Sequence, residues 1–149
     1  MKLTADLLRV STEQELAGCL AVRREVFIVE QQVPENLEVD EFDRSPEACH
    51  HILIRMEGRA IAAGRWRAYE GDTVKFQRLA VLREHRGLGL GKLLLDGLEQ
   101  WAKELGFHQA ILDAQTQAEG FYRKAGYRPV SEEIFLDAGM PHVRMKKVL

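Results

Sequence analysis

The sequence predicts an α+β (mixed α/β) domain in which helices cover both faces of a mixed sheet. Three observations support this. Residues 51–82 alternate in hydropathy around two turns, Glu57-Gly58-Arg59 and Glu70-Gly71-Asp72, as hairpin-connected strands do. Residues 73–126 instead read strand, helix, strand, helix. Finally, 149 residues without a repeat, low-complexity tract or linker suit a single domain, 1–149, with one core.

Residues 3–10 read as the first strand. Ser11 and Thr12, followed by Glu13, Gln14 and Glu15, provide an N-cap and a capping-box partner for a helix running to about Val29. Its apolar stripe holds Leu16, Cys19 and Leu20, then Val26 and Phe27; position 23 falls on the same stripe and is an arginine. Residues 30–49 are polar and acidic and contain Pro34 and Pro46, which predicts a loop with room for a short helical turn. Strands follow at 51–56, 60–69 and 73–82. Leu90, Leu94, Leu98, Trp101 and Leu105 mark a helix closed by Gly106 at C′. A buried strand spans 108–114, and Ala118, Phe121, Tyr122 and Ala125 mark a short helix ended by Gly126. The tail, 127–149, predicts two strands around Asp137-Ala138-Gly139.

Composition narrows the function classes. Hydrophobic and charged fractions of 46% and 30% are ordinary for a globular domain. A net charge of −2 supplies no global field for nucleic acid or an anionic membrane. Met1-Lys2-Leu3-Thr4-Ala5-Asp6 lacks the apolar stretch of a signal peptide, and no run approaches the roughly 18 apolar residues of a membrane helix. Cys19 and Cys49 have no CxxC spacing and read as reduced, packed thiols. The expectation is a cytoplasmic protein, monomer or homodimer, with no metal and no nucleic-acid or membrane partner.

The most informative stretch is Arg86-Gly87-Leu88-Gly89-Leu90-Gly91-Lys92, between the apolar run Leu79-Ala80-Val81-Leu82 and the long helical pattern. Glycines at alternate positions let the backbone approach a ligand closely, because no Cβ stands in the way. Free N–H groups and the positive dipole end of the helix then face an arriving anion, with Arg86 and Lys92 bracketing it. This chemistry grips a phosphate or diphosphate. The spacing fits neither a P-loop, since Gly91-Lys92 is followed by Leu93, nor a dinucleotide fingerprint, since Gly87, Gly89 and Gly91 run G-x-G-x-G.

With Phe121-Tyr122-Arg123-Lys124-Ala125-Gly126-Tyr127 behind that loop, the chain resembles the GNAT acyltransferases. Their R/Q-x-x-G-x-G/A loop is met by Arg86, Gly89 and Gly91, and their aromatic-Tyr-x-Lys-x-Gly-aromatic helix end is met in full. The match covers about residues 51–130; Arg83 stands where many members have proline. The resemblance implies the GNAT fold: a mostly antiparallel mixed sheet whose central parallel strands, here 73–82 and 108–114, splay apart. It implies acetyl-CoA or another short acyl-CoA as co-substrate, with its pyrophosphate on the amides of 86–92. The binding set carried over is Leu79, Ala80, Val81, Arg86, Gly87, Leu88, Gly89, Leu90, Gly91, Lys92, Phe121, Tyr122 and Lys124. Pantetheine would run beside Leu79, Ala80 and Val81 like an added strand.

The implied activity is direct transfer of an acetyl group to a primary amine, with a small-molecule acceptor favoured. The Val81 N–H is placed as donor to the thioester oxygen, and Tyr122 as the acid that protonates the leaving sulfur. A phenol near pKa 10 giving its proton to a thiolate near 8.5 is uphill by about 2 kcal/mol. For the base, Glu38, Asp40, His51 and His142 are candidates, and none has a spacing that identifies it. Deprotonating an ε-amine at pH 7 costs about 4.6 kcal/mol against about 1 for an α-amine, so a lysine-like acceptor needs that base more.

Between Glu30 and Asp43 stand six acids, Glu30, Glu35, Glu38, Asp40, Glu41 and Asp43, and no lysine or arginine. They read either as a solvated loop or as an electronegative mouth for a cationic amine, with Glu38, Asp40, Asp43, His51 and His142 as the acceptor-binding candidates. Arg23, if buried, needs a carboxylate from Glu38, Asp40 or Asp43. Arg23, Val26 and Phe27 with Glu38, Asp40 and Asp43 also resemble acyl-homoserine lactone synthases, which share the fold and use S-adenosylmethionine. Those enzymes are generally longer and do not normally keep the glycine cradle. The phrase from Val26-Phe27-Ile28-Val29-Glu30-Gln31 through Asp43, with Gly139-Met140-Pro141-His142, is similar to a small bacterial GNAT subgroup, the reading preferred here. A GNAT fold that only binds CoA, without catalysis, is the further alternative.

Overall fold

The computed structural model describes residues 4–149. Strand β1 (Ala5–Arg9) leads through a capped turn into α1 (Glu13–Arg23). The expected capping box is present: the Thr12 hydroxyl accepts from the Glu15 N–H, and the Glu15 carboxylate accepts from the Thr12 N–H. Leu3, placed in the first strand by the sequence, lies outside the described residues.

Three stretches depart from the sequence reading. The first helix does not continue as α to Val29; after Arg23 it widens into a π-helix over Arg24–Glu30. Gln31 N–H reaches back to the Val26 carbonyl at 3.1 Å. Such wide turns shift the register of the helical face and recur at functional sites. The acidic segment is not one loop but three short turns: α2 (Glu35–Glu38) and two 3₁₀ turns, Glu41–Asp43 and Pro46–Ala48.

Strands β2 (His50–Met56), β3 (Arg59–Glu70) and β4 (Thr73–Val81) form the antiparallel meander that the turns predict. Then come α3 (Leu90–Glu104), β5 (Gln109–Gln115) and α4 (Glu119–Lys124). The tail holds three strands rather than two: β6 (Arg128–Pro129), β7 (Phe135–Asp137) and β8 (Met140–Val148). Both β6 and β7 pair with β8, so the short extra strand is hidden in sequence by its two-residue length.

The strand order is β1-β2-β3-β4-β5-β8-β6, and among the described residues only β4 and β5 run parallel. Alternate residues of β2 feed opposite layers. Leu53 lies against α1 at Gly18, and Ile52 against α3 at Gly97, where a Cβ would come within 2.7 Å of its Cδ1. The core follows this sandwiching, with Leu94, Leu98, Ile52, Ile54, Trp66 and Phe76 at 2% exposure or less. Cys19 and Cys49 are buried free thiols, pushed up to about 12 and about 11 by burial. Among the described residues no helix is long and apolar enough to cross a membrane.

Candidate active site

The parallel pairing of β4 with β5 extends only from Thr73 opposite Gln109 to Phe76 opposite Leu112. Beyond that point the strands diverge, and a cavity of about 770 Å³ opens between them, of the size expected for a ligand site. The glycine loop, Phe121 and Tyr122 line one end. Val26 and Phe27 of the π-helix and Gln31 at its end, with Met140 and His142 of β8, line the other.

At the first end the wall is largely backbone. Gly87 and Gly89 have φ of +83° and +80°, the left-handed region where a side chain is strained, and nothing lies within 4 Å of a Cβ built at either. Gly89 is the N-cap of α3; no side chain caps it and no acid stands in the first turn, so those amides keep their donors available. At Gly91 a Cβ would sit 3.3 Å from Phe121, which fixes α4 against the loop.

Not every residue carried over to this end lies in the cavity wall. Leu79, Ala80, Val81, Arg86, Gly87, Gly89, Leu90, Gly91, Lys92, Phe121 and Tyr122 line it, whereas Leu88, 60% exposed, and Lys124 do not. Arg86 has another task than the free cation expected of it. Its fork binds both oxygens of Glu30 at 2.7 and 2.8 Å, and its Nε donates to the Val81 carbonyl at 3.0 Å. The hydrogen bond from Arg86 holds the Glu30 carboxyl below its ordinary range. Lys92 pairs with Asp96 at 2.8 Å and remains exposed.

The acidic segment is the main correction at the acceptor end. Asp40, Asp43 and His51 do not reach the cavity; they lie behind its wall as counter-ions and partners of buried arginines. Arg23, 1% exposed, donates to Glu38 at 2.9 and 3.0 Å and to Asp43 at 2.6 and 2.9 Å. Arg65, fully buried, binds Asp40 at 2.7 and 2.8 Å and Asp43 at 2.9 Å. Burial raises the Asp43 carboxyl, but hydrogen bonds from Arg23 and the charges of Arg23 and Arg65 outweigh this and hold it far below the carboxylate range. His51 is 1% exposed, its Nε2 donates to the Phe42 carbonyl at 2.9 Å, and burial lowers its pKa.

Glu38 does line the cavity, yet its oxygens are already engaged by Arg23 and, at 2.8 Å, by Arg78. Arg78 was not singled out from sequence. It has φ +59°, a left-handed position in mid-strand where β3 and β4 slip register, and it turns into the cavity wall beside Gln77. The signal was present: Gln77-Arg78 interrupts an otherwise apolar end of the strand. Lys75, Asp113 and Gln115 also line this end unforeseen; Asp113 is taken by Arg144 at 2.8 Å and Lys75 at 3.2 Å.

Tyr122 packs edge-on between Phe121 and Tyr127, with centroids 5.0 and 5.9 Å away, and burial pushes its phenol up to about 12. It therefore stays protonated throughout the neutral range. Among the described residues no cluster of histidine, cysteine and carboxylate side chains is arranged to hold a metal ion.

A splayed parallel pair, an uncapped glycine-rich helix start and a tyrosine at the cleft together define an acyl-transfer type of domain. The chain belongs to the GNAT acetyltransferase family: the family's acetyltransferase (GNAT) domain matches residues 7–149. It is 44% identical over 135 residues to the uncharacterised N-acetyltransferase YjcF of Bacillus subtilis (strain 168), covering 91% of this chain and 94% of that one. An acyl-CoA N-acyltransferase structure from Pseudomonas aeruginosa superposes with TM-score 0.82 at 29% identity, covering 98% of this chain and 99% of the other. A more distant structure shares the fold at TM-score 0.73 and 17% identity, covering 98% and 99%: the PaiA N-acetyltransferase of Thermoplasma acidophilum in complex with coenzyme A. This chain is thus an N-acetyltransferase of that family, with bacterial relatives.

Proposed function

We propose that the enzyme moves an acetyl group from acetyl-CoA to a primary amine of a small molecule, by direct transfer. The observation that carries this reading is the continuous cavity between β4 and β5, which joins the glycine cradle to the end lined by Met140 and His142. The cradle fits a diphosphate through its left-handed glycines and the uncapped start of α3. Strand β4 past Phe76 has an edge released by β5, along which an amide-rich pantetheine arm can lie beside Leu79, Ala80 and Val81. The Val81 N–H would donate to the thioester oxygen as charge develops on it.

Tyr122 is the group assigned to the departing sulfur. With its phenol at about 12, complete transfer to a thiolate near 8.5 is uphill by roughly 5 kcal/mol, more than its ordinary acidity would give. The phenol therefore works by donating a hydrogen bond as the C–S bond breaks, the proton passing late. Glu38 is reassigned from base to positioning residue, because Arg23 and Arg78 occupy its oxygens.

Release of free thiol from acetyl-CoA across a panel of amines tests the reading. Thiol release that depends on an amine supports transfer; tight binding of acetyl-CoA with no release under any amine would leave a binding module. Tyr122→Phe is expected to lower kcat about a hundredfold with little change in the KM for acetyl-CoA. An unchanged kcat at every pH would remove the acid role.

A further inference from the structure

We propose that His142 is the general base, accepting the acceptor's proton at Nε2, and that the acceptor is a weakly basic primary amine such as an α-amine or amino sugar. This rests on the acetyl-transfer reading. The argument begins at the other ring nitrogen. Nδ1 of His142 lies 2.7 Å from the carbonyl oxygen of Met140. A carbonyl only accepts, so the proton of the neutral ring sits on Nδ1 and the lone pair is left on Nε2. Nε2 makes no hydrogen bond among the described residues, and the side chain lines the cavity while the residue is only 7% exposed. Phe135 of β7 stacks over the ring with centroids 6.0 Å apart and planes 24° from parallel. The ring is thus oriented by a hydrogen bond and a clamp, as a base needs to be.

The buried carboxylates of the cavity wall are committed, and its second histidine, His85, stands at the glycine-loop end beside Arg86 with its Nδ1 unpartnered, away from β8. Both Glu38 oxygens accept from arginines, and both Asp113 oxygens accept from Arg144. Asp137 is exposed at the turn tip. Around His142, β5 presents Gln115 directly opposite, with Asp113 two residues back, and β8 presents Arg144. The Asp113–Arg144 pair is self-neutralising, and Gln115 is tied to Gln31 at 2.9 Å.

The proton account closes. The neutral amine nitrogen attacks the thioester carbonyl, the C–N bond forms and the C–S bond breaks. Nε2 takes the surplus proton from nitrogen, while Tyr122 supplies one to sulfur and regains it through solvent. Presenting a neutral nitrogen at pH 7 costs about 1 kcal/mol for an α-amine near 7.8 and about 4.6 for a lysine ε-amine near 10.4, so a site whose buried carboxylates are all paired suits the former.

His142→Asn tests the role, since its amide can still donate to the Met140 carbonyl but has no lone-pair nitrogen at the Nε2 position. The expected result is a fall in kcat of about a hundredfold or more, unchanged acetyl-CoA binding and melting temperature, and loss of the acidic limb of the pH–rate profile. Wild-type kcat and an intact acidic limb in that variant would overturn the base. A substrate panel ordered by basicity tests the class: preference for alkyl diamines or peptide lysine over α-amines and amino sugars would overturn it. If the wild-type enzyme releases thiol with no amine at all, the acetyl-transfer reading falls first and this proposal with it.

Discussion

Arg23 occupies a place on the α1 stripe where its neighbours Leu16, Cys19 and Val22 bury apolar side chains. Its guanidinium survives there because Glu38 and Asp43 surround it with four donated hydrogen bonds to carboxylate oxygens. A buried ion pair of this kind adds little over an apolar core, yet removing one partner strands the others. Arg23→Met is therefore expected to lose about 3–5 kcal/mol of unfolding free energy, measured by urea titration; a loss below about 1 kcal/mol would contradict the arrangement. Arg23→Lys should recover only part of it, because an ammonium cannot serve two carboxylates with one planar fork.

At the start of α3 an element and the proposed diphosphate cradle share one conformation. Gly89 is left-handed with open space around it, so Gly89→Ala suffers from its backbone and not from a clash. The expected stability loss is about 1 kcal/mol, while binding of acetyl-CoA weakens by about tenfold or more, a split that calorimetry and thermal melting resolve. Equal binding by the variant would exclude the loop as the phosphate site. This element was legible in sequence because its signal is local: glycine spacing followed by Leu90, Leu94 and Leu98. The π-helix at Arg24–Glu30 was not, since Val26 and Phe27 continue an apolar stripe that α and π turns read alike. Nor was the bulge at Arg78, whose left-handed φ depends on a register slip against β3. A carboxylate partner for Arg23 was legible among Glu38, Asp40 and Asp43, and Glu38 and Asp43 supply it, whereas the share of Asp40 and Asp43 taken by Arg65 was not, because Arg65 is more than twenty residues away in sequence.

At the scale of the molecule, protonation links these parts to stability. Burial lowers the pKa of His50 and of His51 below the ordinary histidine value. The unfolded chain thus takes up protons at higher pH than the folded one, and stability is full above about 6.5 and falls as pH drops through the folded-state values. Around His51 stand Asp43, Arg23 and Arg65, and the aspartate only partly offsets the burial. Asp40 and Asp43, held low, add a second loss below about pH 4 as the unfolded carboxyls protonate. Urea midpoints at pH 7.5, 6.0, 5.0 and 3.5 are expected to fall in those two stages, and a flat profile from 7.5 to 5.0 would refute the first. The same three arginines and three carboxylates carry a consequence for protein engineering. Arg23, Arg65 and Arg78 balance Glu38, Asp40 and Asp43 in and behind one wall of the cleft, which Glu38 and Arg78 line. A designer who transplants residues 30–43 onto a sister scaffold to alter its acceptor must move all six side chains, drawn from helix, loop and two strands. Anything less leaves an uncompensated charge in the interior, so this wall is inherited or exchanged only as a cassette.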